Sequence, residues 1–487
     1  MKKSNPLIIG TLLLAFATLI TKLLGFIYRV WLSRLIGSER MGIYQLVFPI
    51  LGICYSICCV AIQTSISKFI AQSKNKYYYR IGLFLSLVLS LLCAFILWQG
   101  AYPISRYFLL ERQCTNLLKI IAISLPFNSI HSCICGYYLG YQKSTIPAIS
   151  QLVEQSFRML FLFTISSIVK DVTVETAIWA LVIGEIAAAI FCTLSIQIHF
   201  SLHKKEKCKL IFFYQLQNLL TLAIPLSASR LILSLLQSIE AIMIPSRLRL
   251  FGLSASDALS IYGIFCGMAM PFILFPNALT SALSMMLLPE VANEHSNHNH
   301  KKITYTATRS SEYCLYMGIL CTAVFFLLGN SLGDLFFPNT KAGIFIRTLS
   351  FICPFLYLNN TYTSILNGLG KATLTFSHQL AGIVLRLFCV VFIIPKIGII
   401  GYFLGILLGD LLTCGLNYQS LHQLIQLTYN KISAIFRPII AILFASFSVQ
   451  FINPFLPPFF LIVVKGSIIC IIYLTILFIT RRKSSNV

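Results

Sequence analysis

Apolar residues form long runs that recur along nearly the whole chain and are separated by short polar segments. A run of about 20 apolar residues is long enough, as a helix, to cross roughly 30 Å of hydrocarbon. The pattern therefore predicts an all-α polytopic membrane protein with about fourteen transmembrane helices. The predicted spans are 7–36, 41–71, 81–104, 115–141, 145–169, 173–200, 216–244, 258–288, 313–332, 343–369, 372–394, 397–418, 432–451 and 455–479.

The composition excludes a soluble domain. Hydrophobic residues make up 57% of the 487 positions, which is more apolar side chain than a soluble core absorbs. The first apolar run follows a basic start but is too long for a secretory leader and contains Lys22 and Arg29, so we expect it to be retained as the first helix.

Lys and Arg are enriched in alternate loops, which predicts the orientation in the membrane. The richer set is Lys2, Lys3, Lys74, Lys76, Arg80, Lys143, Lys204, Lys205, Lys207, Lys209, Lys301, Lys302, Lys371, Lys431, Arg437, Arg481, Arg482 and Lys483. We therefore expect a multi-pass protein of the cytoplasmic membrane with both termini in the cytoplasm. The net charge of +23 fits a surface that faces anionic lipids, and no nucleic-acid partner is expected.

An internal repeat predicts the architecture. A shift of 228 positions aligns two helices and the turn between them without a gap. The matched residues are Pro126-Phe127 with Pro354-Phe355, Gly140 with Gly368, Lys143 with Lys371, Thr145 with Thr373, Gln151-Leu152 with Gln379-Leu380 and Arg158 with Arg386. We predict two pseudo-symmetric six-helix lobes, 1–210 and 211–425, related by an axis along the membrane normal, followed by two additional helices in 426–487.

Charged residues within the predicted spans are the candidate functional residues, because charges are costly at membrane depth and are usually functional there. Lys22 and Arg29 lie seven positions apart and so share one helix face. Basic residues outnumber acidic ones, which favours an anionic substrate such as a lipid-linked diphosphate. The predicted substrate-binding residues are Lys22, Arg29, Arg158, Arg230, Arg386, Gln63 and Asn277.

Buried carboxylates are candidates for ion coupling. Glu154 and Arg158 are spaced i, i+4, which suits a same-helix ion pair, so Glu154 is either a structural partner or a proton- or cation-coupling group. Without an ATP-binding motif or a large loop, transport would be driven by an ion gradient, membrane potential or substrate flux. The predicted ion-coupling residues are Glu154, Glu185, Glu240 and Asp410.

Other reactive residues predict no enzyme site, cofactor or metal centre. The sixteen cysteines are scattered through apolar runs, as small core residues are. The segment 294–300 contains three histidines, and an unpaired, flexible cytoplasmic loop is favoured there over a metal site.

Several segments resemble the stage V sporulation protein B family of polysaccharide-biosynthesis proteins. They are TKLLGF at 21–26, RLIG at 34–37, MGIYQ at 41–45, IPSRL at 244–248, YGI at 262–264, GMAMP at 267–271 and LFPNALT at 274–280. The resemblance spans nearly the whole chain. It implies the multidrug/oligosaccharidyl-lipid/polysaccharide flippase superfamily and an alternating-access fold with two six-helix lobes.

The same resemblance implies export of an undecaprenyl-diphosphate-linked saccharide, a precursor of peptidoglycan, of another polysaccharide or of the spore cortex. The implied partners are this substrate, membrane lipids and cell-wall synthesis enzymes. A cation-coupled multidrug exporter of the same superfamily and a membrane-embedded glycosyltransferase or ligase are the alternatives. Buried basic residues argue against the first, and short outward loops argue against the second.

Overall fold

The computed structural model describes residues 6–73, 75–169, 171–202, 212–337, 341–427, 436–450 and 457–484, and every regular element in these ranges is helical. The predicted lobe boundary at 210/211 and the cationic residues at 2, 3, 74, 204–209 and 431 lie outside the described residues.

The chain divides into two compact units, 1–263 and 264–487. The α-helices of the first unit are α1 (Pro6–Tyr55), α2 (Ala61–Ser73), α3 (Tyr77–Gln99), α4 (Ala101–Pro103), α5 (Cys114–Ala122), α6 (Ser124–Gly140), α7 (Thr145–Ile168), α8 (Val174–Leu202), α9 (Phe212–Leu250) and α10 (Ala255–Gly263). Those of the second are α11 (Met270–Leu274), α12 (Asn277–Ser296), α13 (His300–Phe336), α14 (Ala342–Leu349), α15 (Cys353–Gly368), α16 (Ala372–Phe388), α17 (Ile394–Ile397), α18 (Ile399–Ile425), α19 (Arg437–Gln450) and α20 (Pro458–Ser484).

The helices confirm a polytopic membrane fold. Among the described residues, 10 helices are long and apolar enough to cross a membrane, or 11 if the bent pair α5 and α6 forms one span. The 58-residue stretch Phe16–Ser73 counts once there, although it contains the first two predicted spans. Gly37 separates them, with φ 77° and ψ 177°, a conformation that interrupts the helix and that glycine adopts readily.

One predicted span and one predicted loop differ from the structure. The predicted span 258–288 is interrupted by a π-helical segment, Ile264–Ala269, and by a turn at Phe275 and Pro276. The segment predicted as a flexible loop at 294–300 is a short turn between two helices, with Glu294 still in α12 and His300 already in α13. Apolar periodicity locates the hydrocarbon-spanning part of a helix but not the polar turns that continue beyond it.

The aligned repeat has the same turn geometry in both units. Between α6 and α7, Gln142 has φ 60°, and between α15 and α16 the matching Gly370 has φ 76°. The backbone N–H of Lys143 donates to the Tyr138 carbonyl at 2.9 Å, and that of Lys371 donates to the Leu366 carbonyl at the same distance. Both bonds join residues that match under the shift of 228, so the repeat describes real local structure in this segment.

Glycine at the end of the preceding helix permits the same close packing in both copies. A Cβ on Gly140 would lie 2.8 Å from the Ser67 carbonyl oxygen of α2. A Cβ on Gly368 would lie 2.9 Å from the Leu288 carbonyl oxygen of α12. The matched glycines therefore allow equivalent helix pairs to approach within backbone contact, as small residues do in membrane proteins.

Candidate functional site

A same-helix ion pair begins the cluster of polar residues in the first unit. The Arg158 guanidinium donates to Glu154 Oε1 at 2.5 Å on α7, and the side chains are only 14% and 17% exposed. The i, i+4 spacing places both groups on one face of α7, as the sequence predicts. Each charge neutralises the other, which lowers the cost of burying both.

A second carboxylate lies close to this pair. Glu185 of α8 is buried and accepts hydrogen bonds from the Tyr55 hydroxyl at 3.3 Å and the Asn128 side-chain amide at 3.0 Å. His131 Nδ1 lies 3.8 Å from Glu185 Oε2. These partners come from α1 and α6, so Glu185 is held by two elements distant in sequence.

His131 joins the two carboxylates into one cluster, which we call the first polar cluster and define as His131, Glu154, Arg158 and Glu185. One ligand atom from each of His131, Glu154 and Glu185 lies within 4.8 Å of the others. His131 Nε2 also contacts Ser150 Oγ at 2.9 Å. The cluster combines two carboxylates with one arginine, and His131 is its remaining ionisable group. A proton on this cluster or a bound monovalent cation would balance the carboxylate that the arginine leaves over.

The second unit contains a related cluster, which we call the second polar cluster and define as Asn359, His378, Arg386, Asp410 and Asn417. Arg386 Nη1 lies 3.7 Å from Asp410 Oδ1, so a carboxylate from α18 pairs with an arginine of α16. The Asn359 amide donates to the Asp410 carbonyl oxygen at 3.0 Å, and His378 Nδ1 contacts Asn417 Oδ1 at 2.8 Å. One acid and one arginine balance each other in this cluster.

In each unit, the two helices that carry the cluster pack closely at a glycine. A Cβ on Gly184 of α8 would lie 2.8 Å from the Glu154 carbonyl oxygen and 3.4 Å from Arg158 Cβ. A Cβ on Gly409 of α18 would lie 2.9 Å from the Gly382 carbonyl oxygen. The repeat shift matches Glu154 with Gly382. Each glycine is followed directly by the acid of its cluster, so Glu185 and Asp410 occupy corresponding positions.

Apart from Arg158, the predicted substrate-binding cations of the first unit are more exposed than the sequence implied. Lys22 of α1 and Arg230 of α9 are exposed, and Arg29 of α1 is half-buried. The prediction treated all three as buried, which is wrong for Lys22 and Arg230. Arg29 and Arg230 form no hydrogen bond or ion pair within the part of the chain that the structure describes. Cations on apolar helices without such partners are typical of groups that face a water-filled path.

The remaining predicted residues do not join these clusters. Gln63 packs its Cγ and carbonyl oxygen against Gly136 of α6. Asn277 accepts from the Asn360 amide at 2.6 Å and the Thr280 hydroxyl at 2.8 Å, which links α12 to α15. Glu240 is buried on α9 and is not among the residues gathered around His131. Helix-to-helix hydrogen bonding explains the contacts of Asn277.

Sequence reasoning missed the neutral partners of the acids, His131 and Asn128 above all. The shift of 228 matches His131 with Asn359 and Ser150 with His378. Polar residues therefore occupy both copies of these positions on apolar helices, and this signal could have found them. His131, Cys135 and Cys192 also bring one ligand atom each within 4.8 Å, so the histidine adjoins a pair of buried thiols.

The family model for "Polysaccharide biosynthesis protein" matches residues 7–295. The chain belongs to this family. It is 24% identical over 435 residues to "Stage V sporulation protein B" of Bacillus subtilis (strain 168), covering 86% of this chain and 84% of the relative. Membership of this family and the similarity of the chain to this relative confirm the superfamily that the sequence motifs indicate.

Solved structures agree on the fold. A structure of "Lipid II flippase MurJ, inward closed conformation" superposes with a TM-score of 0.76 at 14% identity, covering 97% of this chain and 99% of that one. An inward-facing multidrug resistance MATE family transporter of the MOP superfamily gives 0.61 at 14% identity, covering 86% and 94%. The chain is thus a multi-pass membrane protein of the MOP flippase superfamily.

Proposed function

We propose that the protein is an alternating-access flippase that moves an undecaprenyl-diphosphate-linked saccharide across the cytoplasmic membrane. The observation that carries this proposal is the presence of Lys22, Arg29 and Arg230 within long apolar stretches of α1 and α9. Family membership and the stage V sporulation protein B relative support a precursor for peptidoglycan or another polysaccharide. Enzymes of cell-wall synthesis would then supply the substrate on one leaflet and consume it on the other.

The three cations suit a lipid diphosphate. Lys22 offers a point charge and the two arginines offer planar donor pairs, so together they match a ligand with several phosphate oxygens. Exposed apolar side chains close to them in sequence, Leu23, Ile27 and Ile232, suit contact with the lipid tail. A cationic drug would be repelled by the same residues, which favours the anionic substrate over a drug.

We further propose that the first polar cluster couples transport to a proton or a monovalent cation. Its two carboxylates exceed its single arginine by one charge, whereas Asp410 and Arg386 balance each other. Uptake of one positive charge neutralises the first cluster, and release restores repulsion between Glu154 and Glu185. The occupied and empty forms of the cluster would favour different conformations, so an ion gradient could drive the change between them.

Flipping in reconstituted vesicles tests the substrate site. The double variant Lys22→Ala/Arg230→Ala should lose nearly all flipping of a lipid diphosphate saccharide, because each charge-assisted contact contributes about 1.5–3 kcal/mol, or about ten- to a hundredfold in binding. Arg112→Ala is the matched control, since Arg112 is an exposed arginine of the same unit. Full flipping by the double variant at normal membrane levels would refute the site.

Thiol labelling tests the proposed orientation, with both termini in the cytoplasm. A cysteine introduced at Asp257 should react with an impermeant reagent outside sealed cells, and one introduced at Asn297 should not, because the charge asymmetry assigns these positions to opposite sides. Reaction at both positions from outside would contradict the proposed orientation.

One observation favours the drug-exporter alternative, namely the two neighbouring carboxylates of the first polar cluster in a fold shared with a MATE transporter. Efflux of a cationic dye from the same vesicles separates the two functions. Dye transport that survives loss of Lys22 and Arg230 would support the exporter.

A further inference from the structure

A cavity of about 730 Å³ in the second unit opens between the start of α13 and the end of α18. Its lining includes Lys301, Thr304, Tyr305, Thr308, Arg309 and Gln426. None of these residues belongs to either polar cluster or to the proposed substrate site.

The cavity lies beyond the hydrocarbon-spanning parts of both helices. The apolar run of α13 begins at residue 313, but the helix begins at His300 and so extends about 20 Å further at 1.5 Å per residue. Similarly, α18 continues to Ile425 although its apolar run ends at residue 418. These lengths place the cavity at the level of the lipid headgroups.

The walls are fixed by hydrogen bonds. Asn299 caps α13 by accepting from the Lys302 backbone N–H at 3.3 Å, and Lys302 Nζ lies 2.6 Å from Glu294 Oε1. The Thr304 hydroxyl donates to the Ile425 carbonyl at 2.8 Å, which joins α13 to α18 across the cavity. The bond between Thr304 and Ile425 therefore holds together the two helix ends whose side chains line the cavity.

The lining carries a surplus of positive charge. Arg309 is 3.0 Å from Glu312 and lies over the Tyr305 ring at 5.6 Å, so its charge is already balanced and its position is fixed. Lys301 is exposed and forms no hydrogen bond or ion pair with the residues that the structure describes. Thr308 Oγ1 is buried and has no hydrogen-bond partner within the same described ranges.

We propose that this cavity binds the phosphate headgroup of an anionic membrane lipid. The Lys301 ammonium supplies the charge, the Thr308 hydroxyl supplies a donor to a phosphate oxygen, and Tyr305 forms the side that faces the interfacial layer. Basic recesses between transmembrane helices are a known means of holding anionic headgroups. The site is independent of the transport substrate and stands or falls without the proposed function.

Native mass spectrometry of the full-length protein in detergent, titrated with phosphatidylglycerol, tests the proposal. The wild type should retain one tightly bound lipid, and Lys301→Gln/Thr308→Val should weaken its binding about tenfold or more. Lys371→Gln is the control, because Lys371 is an exposed lysine of the same unit outside the cavity, and it should leave binding unchanged. Melting curves of each variant show that the fold is intact.

Two further titrations separate the sources of phosphate. Phosphatidylcholine should not occupy the site, and free glycerol phosphate should bind far more weakly than phosphatidylglycerol. Equal retention of phosphatidylglycerol by the wild type and the double variant would overturn the proposal. Binding of glycerol phosphate as tight as that of the lipid would overturn the assignment to a membrane lipid, and preferential retention of undecaprenyl diphosphate would reassign the cavity to the transport substrate.

Discussion

The first polar cluster and the second differ by one carboxylate on the same scaffold. Each contains an arginine on one helix and an acid that follows a glycine on the neighbouring helix, Glu185 after Gly184 and Asp410 after Gly409. Arg386 pairs with that acid, whereas Arg158 pairs with Glu154 of its own helix. Glu154 adds a second acid in the first unit, at the position where the second unit has Gly382. Because the second unit has no counterpart of Glu154, its cluster has one acid for its one arginine, whereas the first has two acids for one arginine.

This difference teaches that a buried arginine can serve two purposes in one fold. Arg386 offsets a single acid, as a structural ion pair requires. Arg158 bonds Glu154 directly while Glu185 relies on neutral donors and on His131. Taking up one cation would balance the second carboxylate of the first arrangement, so we propose that the first unit carries ion coupling and that the ion pair of the second unit is structural.

Removal of the arginines should give the largest difference in stability between the two units. Arg158→Ala leaves two acids without a permanent countercharge and should destabilise the protein by about 3–5 kcal/mol, more than Arg386→Ala, which leaves one. Thermal unfolding in detergent measures both. Adding Glu154→Gln to Arg158→Ala should recover part of the loss, and no recovery would show that the arginine acts through packing and not through charge.

Adding a side chain at the glycine contacts should destabilise the protein less than removing the arginines does. The loss of stability should be similar in the two units. Gly184→Ala and Gly409→Ala each force a methyl group against the neighbouring helix, at a cost of about 1–3 kcal/mol. Gly415→Ala is the control, because among the described residues no atom outside its own stretch of helix lies within 4 Å of the position its Cβ would take. If only one of the two variants is destabilised, the packing contacts are not equivalent.

The repeat turn should give the smallest effect. Gln142 adopts φ 60° where its counterpart is Gly370. Gln142→Gly should raise stability by up to about 1 kcal/mol and Gly370→Gln should lower it by a similar amount, because a side chain disfavours positive φ. The melting temperatures of the two variants measure these two stability changes. An unchanged or lower melting temperature for Gln142→Gly would show that the glutamine side chain compensates for the strain.

Sequence patterns alone predicted the helical membrane fold, because apolar run length is set by bilayer thickness. The aligned repeat also predicted a turn that the two units share down to individual hydrogen bonds. The partners of the acids could not be predicted in the same way. Arg386 meets Asp410 and Glu185 meets His131 across helices, and such pairings depend on helix rotation and packing, which residue spacing within one helix does not determine.

The sequence also could not predict how exposed the side chains of Lys22 and Arg230 are. Hydropathy places Lys22 and Arg230 at membrane depth but does not say which side of a helix packs against protein. Both side chains are exposed, so the burial prediction was wrong, whereas their depth in the membrane stays a prediction.

Gradient-driven flipping by three variants tests the central claim most directly. Proteoliposomes containing the wild type, Glu154→Gln or Asp410→Asn would be given a lipid diphosphate saccharide, with and without an imposed proton or sodium gradient. We expect a gradient to accelerate the wild type and Asp410→Asn, whatever their basal rates, and to have no effect on Glu154→Gln. Acceleration that survives in Glu154→Gln but is lost in Asp410→Asn would contradict the assignment of coupling to the first polar cluster.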